Sequence, residues 1–175
     1  MDTSQFVWGA VGAMLLFWIV GAYNRLVRLR GSIVRRFPPI DEQFTLRHGL
    51  LQQQIDALTP VLPSAAARIE VLRAACRQVE AACAHARQRP GAVGAVTSLR
   101  LADDILAEAR ARLPVQSVAG VDLSELNARI TASDATLAFA RRQFNEAVMV
   151  YNAAVRQFPT LLIVGLFGFR SAGTL

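Results

Sequence analysis

The residues with the most scope for chemistry in this 175-residue chain are two histidines and two cysteines. Their spacing withholds most of that scope. Asp41 and His48 are seven apart. They share a helical face but stand about 10.5 Å apart along the axis, too far to hold one metal within a helix. His85 has no Glu-x-x-His partner, so the di-iron carboxylate pattern of helical bundles is missing. His48 is expected to be a hydrogen-bonded helix residue, because imidazole chemistry needs a positioned partner. Cys76 and Cys83 are also seven apart, beyond disulfide reach on one helix. They fall in an apolar register and are expected to be buried packing residues rather than metal ligands. Asp104 and Glu108 lie four apart and are expected to be solvated or paired with arginine. Pro90-Gly-Ala-Val-Gly94 lacks the Gly-Lys-Ser/Thr ending of a phosphate loop and reads as a turn. The expectation is therefore no catalytic, cofactor-binding or metal-binding residue, no small-molecule substrate and no enzymatic activity.

The elements that carry these residues read as helices, since hairpin dipeptides and β-branched clusters are missing. Apolar residues recur at steps of three and four from Leu26 through Leu29, Ile33, Phe37, Ile40 and Phe44, then at Leu51, Ile55, Leu58 and Leu62. Pro38 and Pro39 interrupt that seam without changing its register. One long helix with a proline bend is expected there, with two separate helices as the alternative. Pro60 and Pro63 close it, and Ser64 is a candidate cap for the next helix. The second seam is Ile69, Leu72, Cys76, Val79, Cys83 and Ala86. The third, over about 96–113, is Leu99, Ala102, Leu106, Ala109 and Leu113, with Pro114 as its stop. A loop is expected over 114–122, and Asp122 or Ser124 begins the last helix. Its seam runs Leu126, Ile130, Ser133, Leu137, Ala140, Phe144, Val148, Tyr151, Val155 and Phe158. Short connections favour antiparallel neighbours, so the fold class is all-α: an antiparallel up-down bundle of long helices behind one N-terminal transmembrane helix.

That first helix is the strongest signal in the chain. Residues 3–24 are 22 uncharged residues, and about 20 suffice to cross a bilayer. Trp8, Trp18 and Tyr23 sit where interfacial aromatics are favoured. Arg25, Arg28, Arg30, Arg35 and Arg36 follow at once, so the positive-inside rule puts the N-terminus outside and the domain in the cytoplasm. A cleaved signal peptide is the alternative, with Val20-Gly21-Ala22 as a small-residue site. Met1-Asp2, however, lacks the basic region that such a leader carries. The division expected is 1–24 as anchor, 25–159 as bundle and 160–175 as an apolar C-terminal tail. Nine apolar residues, Leu161 to Phe169, are too short to span a membrane. They are expected to pack on the bundle, lie in the interface or dock a partner.

All 19 basic residues are arginine and the net charge is +6. The excess sits beside the apolar segment, where it complements anionic headgroups. The domain itself mixes acids with arginines, which excludes the basic stripe of a nucleic-acid binder. Two Tyr-Asn pairs, Tyr23-Asn24 and Tyr151-Asn152, would meet at the base if the first and last helices are antiparallel. With Asn145 they are candidates for fixing interhelix register by side-chain hydrogen bonds.

Four segments together resemble the LemA family. They are Tyr23-Asn24-Arg25-Leu26-Val27-Arg28-Leu29-Arg30; Ile40-Asp41-Glu42-Gln43 with Arg47-His48; Ala140-Arg141-Arg142-Gln143-Phe144-Asn145-Glu146-Ala147-Val148 with Tyr151-Asn152; and Phe158-Pro159 with Phe167-Gly168-Phe169. The chain departs from the family's usual pattern at Pro38-Pro39 and at Gly49-Leu50-Leu51-Gln52. The resemblance implies a single-pass bacterial membrane protein with a cytoplasmic helical domain and no known enzymatic activity. The function expected is a scaffold or protein-interaction module at the inner membrane. The alternative is a protein that binds or remodels lipid surfaces through the arginines and the tail. Expected partners are membrane lipids and an unidentified protein, with oligomers possible.

Overall fold

A computed structural model of the chain describes residues 3–113 and 122–175. Its helices are α1 (Thr3–Arg36), α2 (Pro38–Leu58), α3 (Ala66–Gln88), α4 (Val93–Ala111), α5 (Ser124–Arg156) and α6 (Thr160–Phe167), with a 3₁₀ turn at Pro63–Ala65. No strand occurs among the described residues. Apart from Asp122, the expected loop after Leu113 lies outside them, as does its stop at Pro114.

The proline pair bends nothing apart. Phe37 keeps helical torsions, φ −77° and ψ −40°. Its N–H donates to Val34 O (3.4 Å), and its own carbonyl accepts from Ile40 (2.9 Å) and Asp41 (3.1 Å). Proline fits the first turn of a helix, where no intrahelical donor is required. α1 and α2 therefore run on as one rod, Ser4–Leu58. Phe37 and Phe144 sit edge to face at 6.2 Å beside that junction, both buried. Burying side chains of this size contributes about 1.5–3 kcal/mol each, which pins the junction to α5.

In the half of the bundle beyond the junction, α2 packs between α5 and α3, and α3 packs on α4. Every position of the expected α3 and α4 seams is buried, Cys76 and Cys83 included. The two sequence signals for helix starts differ in outcome. Asp122 accepts the Ser124 N–H at 2.9 Å just ahead of α5, whose N-cap position is Leu123. Ser64 caps nothing, because the Pro63–Ala65 turn precedes α3 and leaves Ser64 exposed inside it.

α3 and α4 do not reach the N-terminal end of the rod. Their connecting turn, at Gly91, stops level with Ile33, whose Cγ2 would lie 3.0 Å from a Cβ at Gly91. Among the described helices, α1 packs on α5, α2 and α6 and not on α3 or α4. The C-terminal segment fills the missing place. α5 ends at Arg156, α6 turns through 98°, and after Gly168 (φ +67°) the chain climbs back along α5 to Leu175. Phe158, expected in the α5 seam, is instead 77 % exposed, because the helix ends before it.

Candidate functional site

The base of the molecule, where α1 emerges from its apolar half, gathers the residues singled out by the sequence. Arg25, Arg28, Arg30, Arg35 and Arg36 are all exposed, and none is ion-paired among the described residues. Arg25 reaches Gln157 Oε1, just past the end of α5, at 3.5 Å, and Arg36 donates to Gln143 within α5. The cluster thus keeps its charge free while bridging α1 to α5.

The expected Tyr-Asn meeting does not form. Asn24 is exposed and Tyr23 turns to the tail, its ring 5.0 Å from Phe167 and 5.7 Å from Phe169. Asn145, Tyr151 and Asn152 also bind the tail rather than α1. Asn152 Nδ2 donates to Ala172 O at 2.9 Å, and the Ala172 N–H donates to Asn152 Oδ1 at 2.8 Å. Asn145 repeats this on Leu175, at 2.7 Å and 2.9 Å. Tyr151 Oη donates to Arg170 O at 2.9 Å. The pairing with the tail has a geometric cause. Two helical turns separate the asparagines by about 10.5 Å, and three extended residues separate their targets by about 10 Å. Each amide uses one donor and its acceptor on a single residue, the pattern of a neighbouring β-strand. The asparagines do set register, but that of the tail against α5. Gly173 closes the clamp: its N–H donates to Gly91 O at 3.0 Å, and a Cβ there would meet Val93 Cα at 2.9 Å. Between tail and α1 remains a groove of about 380 Å³ lined by Tyr23, Arg30, Phe167 and Phe169 among others.

A second constellation lies in the core of the four-helix half. No Cα of α4 comes within 8 Å of one of α5, so this side of the bundle is wide. Long charged side chains cross it. Arg47 from α2 donates to both Asp103 on α4 and Asp134 on α5 (3.1 Å to the latter). Arg141 on α5 donates to Asp103, and Arg110 on α4 donates to Asp134 at 2.9 Å. The Arg47 and Arg141 guanidinium groups lie 5.0 Å and 5.3 Å from the Phe44 ring centre. Burial pushes the Asp103 carboxyl up, but Arg47 and Arg141 together outweigh it and hold it below its ordinary range. Arg141 Nε is buried with no partner among the described residues.

This network was not singled out from the sequence, though a trace of it was there. The first seam skips from Phe44 to Leu51, and Arg47 stands in the gap at steps of three and four. Asp103 sits next to the seam residue Ala102, four after Leu99 and three before Leu106. A charged residue in a seam position is a sign of a paired buried ion.

The remaining candidates are peripheral. The Arg87 guanidinium binds Asp41 at both oxygens (2.8 Å and 2.7 Å) and holds its carboxyl low. Burial, then the hydrogen bond to Asp41, pushes the Cys83 thiol up to about 12. His48 lies 3.9 Å from Glu80 at the bundle edge. Asp104 is exposed, and Glu108 pairs with Arg112. No three His, Cys, Asp or Glu side chains converge to hold a metal among the described residues.

Fold and base define an all-helical protein with one N-terminal helix long and apolar enough to cross a membrane, and a tail strapped to its bundle. The chain belongs to the LemA family, whose model matches residues 84–175. That match covers α4 to the tail and so includes Asp103, Asp134, Arg141, the two clamping asparagines and their targets. No curated protein and no solved structure gives a significant match.

Proposed function

We propose that this is a single-pass protein of the bacterial inner membrane, N-terminus outside, whose cytoplasmic bundle is a non-catalytic scaffold or protein-interaction module. The observation that carries this is the unbroken rod Ser4–Leu58. Its apolar half is wholly unburied by the protein, while its other half is a core helix of the bundle. Fifty-five residues of helix measure about 82 Å, so the rod holds the bundle upright on its anchor. The free arginines at the junction favour the cytoplasmic side. A scaffold suits the chemistry too. Asp41 and Asp103 are held low and Cys83 is held high, so none is poised to exchange a proton near neutrality. A groove of about 350 Å³ between α2 and α5, with Phe139 55 % exposed at its edge, offers a docking surface.

Photo-crosslinkers placed at Phe139 and at Leu101 of the full chain in native membranes test this. Discrete protein adducts from one position and not the other support a partner face. Products with neither position, in membranes where the chain fractionates with lipid, would sink the scaffold and leave the alternative, a protein that acts on the lipid surface. The apolar outer face of α6 favours that second reading.

A further inference from the structure

α6 is inverted relative to a helix made for water. From Phe158 to Phe169 there is no charged residue. The single hydroxyl of α6, Thr160, is buried against the bundle beside Ile163. Leu161 (53 %), Leu162 (68 %) and Leu166 (76 %) face outward, with Phe158 flanking them. An amphipathic surface helix does the reverse. Exposed apolar patches of this kind mark a partner or a membrane.

The position of α6 identifies the occupant. Its two ends sit at one height on α1: Gln157, just before it, meets Arg25, and Phe167, its last residue, packs its ring tilted against Tyr23. The bend of 98° from α5, which packs along α1, makes it transverse to the rod. Half-exposed Phe167 thus joins α6, through Tyr23, to the unburied apolar half of α1. Cations ring the same level, with Arg25, Arg28 and Arg156 all exposed. Past Gly168, the Asn152 and Asn145 clamps fix the chain that follows α6 against α5.

We infer that α6 is an in-plane membrane helix, seated in the cytoplasmic headgroup region of an anionic bilayer with Leu161, Leu162 and Leu166 turned toward the acyl chains. This rests on α1 being the membrane anchor proposed above. An interfacial helix of this kind buries its apolar face roughly 5–10 Å into the headgroup–acyl boundary. The chain would then touch the bilayer twice, through one spanning helix and one flat one, and the bundle could not swivel on its anchor.

The test uses the full chain in phosphatidylcholine–phosphatidylglycerol vesicles, labelled with an environment-sensitive fluorophore at one introduced cysteine. Cys76 and Cys83 are buried and react poorly. Positions are Leu162→Cys, Leu166→Cys, Phe17→Cys in α1 and Val71→Cys on α3. The expected result is blue-shifted emission at 162 and 166, quenched more by bromines high on the acyl chains than by deep ones. Phe17→Cys should be quenched most by deep bromines and Val71→Cys by neither. If 162 and 166 match 71 while 17 is quenched, the in-plane helix is overturned and the anchor stands. If 17 is also unquenched, the anchor itself is overturned and the inference falls with it.

Discussion

Asn152 holds Ala172 by both main-chain groups, donating to its carbonyl at 2.9 Å and accepting its N–H at 2.8 Å. The two residues belong to elements that would otherwise share no ladder, a helix and an extended strap. One side-chain amide supplies what a neighbouring strand would. Together with the Asn145–Leu175 pair, the contact turns a two-helix stem into a closed three-element base.

Asn152→Ala removes both bonds and leaves partly buried main-chain groups on Ala172. At about 1 kcal/mol net per bond, the loss is about 1–2 kcal/mol, a Tm lower by roughly 2–8 °C. Asn152→Asp keeps the acceptor but sets a carboxylate oxygen against the Ala172 carbonyl, so it should not recover the native Tm. Thermal unfolding in detergent checks both, and an unchanged Tm for the alanine variant would remove the clamp from the account.

Arg47→Ala strips one cation from two acids at once. Breaking a buried ion pair from one side costs about 3–5 kcal/mol. Asp103 retains Arg141 and Asp134 retains Arg110, so the lower end is expected. The exposed pair Glu108–Arg112 is the control, worth about 0.3–0.5 kcal/mol. Urea unfolding should separate the two variants clearly.

Acid should weaken the same network. Burial opposes ionisation of Asp103, yet Arg47 and Arg141 keep its folded pKa below the ordinary 3.8. A depressed folded pKa gives stability that is complete above the unfolded value and lost as pH falls through the folded one. The difference between the native chain and Asp103→Asn should therefore be full at pH 7, begin to shrink near pH 4 and close below it. A difference that grows on acidification would contradict the ion-pair assignment.

Gly173→Ala places a Cβ 2.9 Å from the Val93 backbone, which cannot move aside as a side chain would. Overpacking of this sort costs about 1–3 kcal/mol, and here the relief is for the strap to lift. Limited proteolysis should cut at Arg170 faster than in the native chain while the bundle stays intact. Gly94→Ala, with open space around it, should leave cleavage unchanged.

The helices and their inward faces were legible in the residue order, because a helical seam is a local property with a period of 3.6. Ile69 to Ala86 and Leu99 to Leu113 could be assigned to the core without knowing what they touch. The apolar run before Arg25 was legible for the same reason. Partners were not. Arg47 meets Asp103 across 56 positions and Asn145 meets Leu175 across 30, and periodicity carries no information about which distant segment arrives. The tail shows the division most plainly. Its composition declared it apolar. Only the tertiary structure divided it, strapping 168–175 along α5 and against the α3–α4 turn and turning the leucines of α6 outward, because the partners its backbone finds, Asn145, Asn152 and Gly91, are brought together only by the fold.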